Sequence, residues 1–172
     1  VAARKFDEQP LRHHQAITAL ALSPDGRTLL TGCADGTAQL WDVATRTPSG
    51  PPFQHQAKVT ALAFSPDGKI LYVAVTRANQ VWRLPIHGDG SSTKASIFLH
   101  MQGGHTGPDG IAADVDGNVV VCQCGTDSVW LFSKFGEPLY RIRSCAGHDL
   151  TNAAYGGPDN KRPYITEASP GQ

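Results

Sequence analysis

The sequence predicts an all-β fold, and three observations carry that prediction. The 172 residues include 18 glycines and 12 prolines, which interrupt helices and populate turns. Charged residues are 17% of the chain, against about 25% in an average protein, so the charged faces of surface helices are missing. Finally, an apolar segment leading into a tight turn occurs twice: ITALALSPDG from Ile17 to Gly26 and VTALAFSPDG from Val59 to Gly68.

Two looser copies follow, DGIAADVDG from Asp109 to Gly117 and NAAYGGPDN from Asn152 to Asn160. Their turn aspartates Asp25, Asp67, Asp116 and Asp159 stand 42, 49 and 43 residues apart. A period near 42, with an apolar strand ahead of each turn, is the pattern of β-propeller blades. The chain therefore reads as four blades' worth of four-stranded antiparallel sheets.

The first strands of the blades centre on Ile17–Leu22, Val59–Phe64, Ile111–Asp114 and Ala153–Tyr155, apolar and small as befits packing near an axis. In the SPDG turns proline presets φ, aspartate bonds its own backbone and glycine supplies positive φ. Second strands are expected at Thr28–Thr31, Ile70–Val75, Val119–Cys122 and Pro163–Thr166. The third strands TAQLWDV, QVWRLP and SVWLFSK each carry a tryptophan (Trp41, Trp82, Trp130) suited to filling the wedge between blades. Fourth strands are expected at Ile97–His100 and Leu139–Arg143, while TPSGPPFQHQ reads as mostly loop.

The last unit has no third or fourth strand of its own. VAARKFDE, Val1 to Glu8, matches the third-strand pattern, with Phe6-Asp7 where Trp41-Asp42 stands, so the first residues are expected to complete the last blade. Sharing strands removes an exposed edge. The single propeller domain then divides into residues 1–12 (outer strands of blade four), 13–56, 57–106, 107–148 and 149–172. Two assemblies satisfy this pattern: one chain closing on itself, or a homodimer exchanging strands to form an eight-bladed ring.

Fifteen basic and fifteen acidic residues balance, which leaves no field to draw in nucleic acid or an anionic membrane. No apolar run reaches the length of a membrane span, and the N-terminal residues lack a signal-peptide core. Four irregularly spaced cysteines (Cys33, Cys122, Cys124, Cys145) do not make a disulfide framework, so a reduced, cytoplasmic setting is expected.

Two resemblances emerge. Residues 13–64, through SPDGRTLLTGCADGTAQLWDVAT with its Asp35-Gly36 turn and Trp41-Asp42 dipeptide, resemble WD-repeat propellers. That resemblance implies a protein-binding platform using its top-face loops. Residues 65–172 plus the N-terminal strand resemble the gluconolactonase/senescence-marker-protein lactonases, through SPDGKILYVAVTRANQVWRLP, GPDGIAADVDGNVVV and TNAAYGGPDNKRPYITEA. The second resemblance implies a metal held at the axis by Glu, Asn and Asp. The family's Asp matches Asp109; its Asn position is Thr60 here; nothing near Ile17 replaces its Glu. The change of family within a shared AFSPDG segment points to a recombined chain, natural or engineered.

Counting seven residues back from each turn aspartate gives Thr18, Thr60, Asp109 and Asn152, four oxygen-bearing side chains expected to ring one mouth of the central channel. Ca²⁺ takes six to eight oxygens, usually with several carboxylates, so this set offers at best weak binding unless a dimer doubles it. No cofactor is expected otherwise. The expected function is a non-catalytic scaffold. The rival is a Ca²⁺-dependent lactonase in which Asp109 serves as ligand and catalytic base, and a third reading is a WD-type protein-interaction module. The histidines, Cys122-x-Cys124 and the glycine pairs lack the partners that zinc or phosphate sites need.

Overall fold

The computed structural model describes residues 10–89, 91–92, 94–103 and 106–168. Within them the chain is all-β, with one 3-10 turn at Thr76–Ala78. Strands β1 (Ile17–Leu22), β2 (Thr28–Cys33), β3 (Thr37–Asp42) and β4 (Phe53–Gln54) form the first sheet. The second sheet comprises β5 (Val59–Phe64), β6 (Ile70–Val75), β7 (Gln80–Pro85) and β8 (Ser96–His100). The third comprises β9 (Gly107–Ala113), β10 (Val119–Cys124), β11 (Ser128–Phe132) and β12 (Pro138–Arg143). Strands β13 (Leu150–Gly156) and β14 (Arg162–Glu167) make a two-stranded fourth. The sheets are antiparallel meanders, as blades require. Val1 to Glu8, expected to complete the fourth blade, lie outside the described residues.

The turns form as their residues dictate. Ser23 Oγ donates to Asp25 Oδ1 at 2.6 Å and accepts from the Thr28 amide at 2.9 Å, while the Arg27 amide donates to Asp25. Ser65 and Asp67 repeat this arrangement. In the third blade Asp114 replaces the serine and itself accepts from the amides of Asp116 and Asn118.

The A strands β1, β5, β9 and β13 pack successively side by side, and each blade buries one face against its neighbour. Between blades one and two, Leu30, Ala38 and Leu40 meet Leu62, Leu71, Val73 and Leu84. Tyr72, Ala74 and Val81 meet Ile111, Val119, Val121 and Phe132 at the next seam. Val120, Cys122 and Val129 meet Ala153 and Ile165 at the third. At each of the three seams a trailing face of one blade meets a leading face of the next. Alternation along the strands creates both. The A strands approach closely because the trailing face is small: Ala19 and Ala21, Ala61 and Ala63, Gly110 and Ala112. A Cβ on Gly110 would run into the backbone of Thr151 and Asn152.

The tryptophans do not share one position. Trp82 pairs with Val73 and Trp130 with Val121, but Trp41 pairs with Leu29, the register occupied by Leu84 and Phe132 in the later blades. The indoles bond differently too. Trp41 Nε1 donates to Thr31 Oγ1 at 3.0 Å, whereas Trp82 and Trp130 donate to Gln80 Oε1 and Gln123 Oε1 at 3.0 and 2.9 Å.

Candidate site at the channel mouth

Each A strand carries a one-residue bulge near its start. Ile17 pairs with Cys33 and Ala19 with Gly32, which leaves Thr18 unpaired; Thr60 is skipped in the same way between Val59 and Ala61. In the third blade the irregularity falls over Asp109 and Gly110. In the fourth, Leu150 pairs with Glu167 and Asn152 with Thr166, so the skipped residue is Thr151. Strand register therefore puts Thr151, not Asn152, in line with Thr18, Thr60 and Asp109. The connection between Tyr155 and Pro163 is one residue longer than that between Leu22 and Leu29, so a count taken from the turn aspartate overshoots by one.

Bulges re-aim side chains, and here they aim hydroxyls across the seams. Thr18 Oγ1 lies 2.5 Å from the Val59 carbonyl oxygen of the next blade and 3.1 Å from that of Gly32. Thr60 Oγ1 lies 3.3 Å from the Pro108 oxygen of its next blade, 3.4 Å from that of Ala74, and accepts from Thr76 Oγ1 at 2.6 Å. One residue type at one position thus staples successive A strands. Thr151 Oγ1 bonds within its own blade, to Thr166 Oγ1 at 3.2 Å. Asn152 turns its Oδ1 to the adjacent Ala153 amide at 2.9 Å.

Asp109 is the exception, a half-buried carboxyl where the other blades carry a threonine. Burial pushes its pKa up, with Lys58 pulling weakly the other way. Its charge in turn reaches Cys122, whose buried thiol is pushed up to about 12, chiefly by desolvation. That thiol is a packing group rather than a nucleophile. Ca²⁺ coordination asks for six to eight oxygens with several carboxylates. The four bulge positions offer one carboxylate and three threonine hydroxyls, with the Asn152 amide one residue on; a single carboxylate falls short of such a site. Among the described residues no three His, Cys, Asp or Glu side chains come together as a metal would need.

Sequence reasoning missed two features. His55, almost wholly buried, packs edge-on at 5.5 Å from Trp82 with neither ring nitrogen bonded, and burial lowers its pKa. His13, 42 residues earlier, stands edge-on to Trp41 at 5.1 Å with its Nδ1 3.6 Å from Cys33 Sγ, and two histidines one repeat apart ahead of β1 and β5 were the available signal. The second is a cleft of about 960 Å³ between the first two SPDG turns, bordered by Asp25, Arg27, Asp67, Lys69 and Asp89. Among the described residues no helix is long and apolar enough to cross a membrane.

Comparison with known proteins follows the same division. Residues 7–42 match the WD domain, G-beta repeat, and residues 53–169 match the SMP-30/Gluconolactonase/LRE-like region. The two matches are separated by residues 43–52. The chain is 28% identical over 91% of its length to Actin-interacting protein 1 of Caenorhabditis elegans, covering 26% of that protein. It is 34% identical over 42% of its length to Lactonase drp35 of Staphylococcus haemolyticus, covering 23% of it. The chain thus spans about a quarter of the length of these two relatives. The solved WD40 repeats of RRP9 superpose on 83% of this chain with a TM-score of 0.66 at 18% identity, the chain covering 43% of that structure; this establishes the propeller fold. With the lactonase-type match spanning β4 to β14 and a WD-type blade ahead of it, the chain belongs to the SMP-30/gluconolactonase/LRE-like family.

Proposed function

We propose that this chain is a non-catalytic β-propeller scaffold, in which recombination, natural or engineered, has joined a WD-type blade to lactonase-type blades. The observation that supports it most directly is the use of the mouth residues. Thr18 and Thr60 hold blades together, and Asp109 is the only carboxylate on the bulge positions. The test is a gluconolactone hydrolysis assay with and without added Ca²⁺, paired with calorimetric Ca²⁺ titration. Indistinguishable results for the unsubstituted chain and Asp109→Ala support the scaffold. Metal-dependent turnover that disappears in Asp109→Ala overturns it in favour of a lactonase.

That second reading draws on the family match over residues 53–169 and on the half-buried Asp109 with its raised pKa. A protein-interaction role is favoured by the polar cleft between the SPDG turns of the first two blades. Loss of a discrete partner on reversing Arg27 and Lys69 to glutamate would place binding there.

A further inference from the structure

The connectors that lead into the first three blades are each pinned beside the tryptophan of the blade they enter. Into blade three the pin is an amide. Buried Gln123 donates through Nε2 to the Gln102 and Gly103 carbonyl oxygens at 2.9 and 2.7 Å, and its Oε1 accepts from Trp130 Nε1. Ahead of blade one the pin is His13, half-buried, with Nδ1 beside Cys33 Sγ. Ahead of blade two it is His55, 6% exposed, and neither of its ring nitrogens has a hydrogen-bond partner among the described residues. Trp82 gives its own N–H to Gln80 Oε1, so the two side chains meet only ring on ring. The rest of this connector is held lightly. Strand β4 offers two pairs to β3, Thr37 with Gln54 and Ala38 with Phe53. Beyond them the His55 amide donates to the Gly36 carbonyl oxygen at 2.9 Å, and Gln54 Nε2 to that of Asp35 at 3.1 Å. The seam itself is made of Leu30, Leu40, Leu62, Leu71 and Leu84, which carry nothing that titrates.

We infer that His55 is a proton-operated latch: taking up a proton drives its imidazole out from beside Trp82 and lifts residues 54–58 off the first seam, while the apolar seam stays closed. The neutral ring leaves one donor and one acceptor unbonded in its site. The imidazolium would bring two N–H donors and a full charge to a place that holds no acceptor for them, and an unpaired buried charge costs far more than an unbonded polar group. The ionisable groups on the surrounding elements do not compensate it. They are Lys58 on the connector, Asp35 on the β2–β3 turn, Arg83 on β7, and Arg77 and His100 on the 3-10 turn and β8 that flank β7. Burial alone accounts for the lowered His55 pKa. The charged ring is therefore stable only in water, and protonation and opening go together. Few bonds tie down the connector, so this opening is local. Gln123 has no proton to gain, and the connector into blade three keeps its pin at any pH. The latch stands whether or not the chain is catalytic.

The test is hydrogen exchange read by mass spectrometry on the whole chain at pH 7.5 and 5.5, with rates corrected for the intrinsic pH dependence of exchange. Opening takes up one proton once the pH is below the free histidine value of 6.5, so protection of residues 54–58 should fall about tenfold between the two conditions. Protection in β10 should hold. His55→Gln, which puts an amide in place of the imidazole, and His55→Phe, which keeps a ring without nitrogens, should each abolish the fall. Unchanged protection of residues 54–58 in the parent chain overturns the inference. An equal fall in β10 overturns it too, because the molecule would then be unfolding as a whole. A fall that survives in whichever of the two variants folds, as judged by circular dichroism, overturns it as well. Titration of the His55 ring by NMR supplies a second measurement: a midpoint below 6.5 in the folded chain is expected, and one at or above 6.5 refutes the latch.

Discussion

Gly110→Ala gives a sharp test of how closely the first strands of the blades pack. Alanine in an extended strand ordinarily stabilises relative to glycine, by about 0.4–1 kcal/mol, because the unfolded chain loses freedom. At Gly110 the added methyl would lie 2.7 Å from the Thr151 carbonyl oxygen and closer still to the Asn152 Cα. Both are backbone atoms of the next blade, so no side chain can rotate away. Overpacking against side chains costs about 1–3 kcal/mol, and an immovable neighbour puts this position at the upper end, about 3 kcal/mol. For a domain of this size that is a fall in melting temperature of about 6–12 °C. Thermal and urea unfolding followed by circular dichroism would read it, with Gly88→Ala as the control, where nothing lies within 4 Å of the added carbon. Gly110→Ala melting at or above the parent chain would refute the packing described for the third seam.

Other expectations concern the same seams. Thr18→Val keeps the shape of the side chain but removes the hydroxyl shared with Val59 and Gly32, and should cost about 1 kcal/mol in urea unfolding. Asp109→Thr should act in the opposite sense, restoring a neutral staple. Because burial raises the Asp109 pKa, the folded state holds its proton more tightly; stability falls as pH rises from the unfolded value of 3.8 through the folded one, and the variant should lose that fall. His55 has the reverse sign of linkage. Its folded pKa lies below 6.5, so its stabilising contribution is present above that pH and lost as pH drops further. Unfolding free energies from urea titrations at pH 7.5 and 5.5 should therefore drop more for the parent chain than for His55→Gln; equal drops would show that His55 is not the group responsible.

The fold was readable where strand and turn chemistry are local. ITALAL and VTALAF became β1 and β5 with the expected bounds, because alternation and SPDG turns are decided within a few residues. What failed were counts that run through a connection of unknown length. Asn152 was one residue off because the last hairpin is longer, and Trp41 was taken as equivalent to Trp82 although it pairs two positions farther along its strand. The site suffered the same way: Thr18 and Thr60 stand out as polar residues on apolar strands, but the carbonyls they hold lie 41 and 48 residues on, and no local pattern names an acceptor that distant. The fourth strand β4 is two residues long, too short for TPSGPPFQHQ to announce it.

The meander order has a consequence for how the molecule comes into being. Among the described residues each strand pairs only with the strand before or after it in the chain, so none of these hairpins waits for residues synthesised much later. A blade can fold as soon as it leaves the ribosome, and then offers its trailing face as a template on which the next one settles. Synthesis itself would thus set the sequence of assembly.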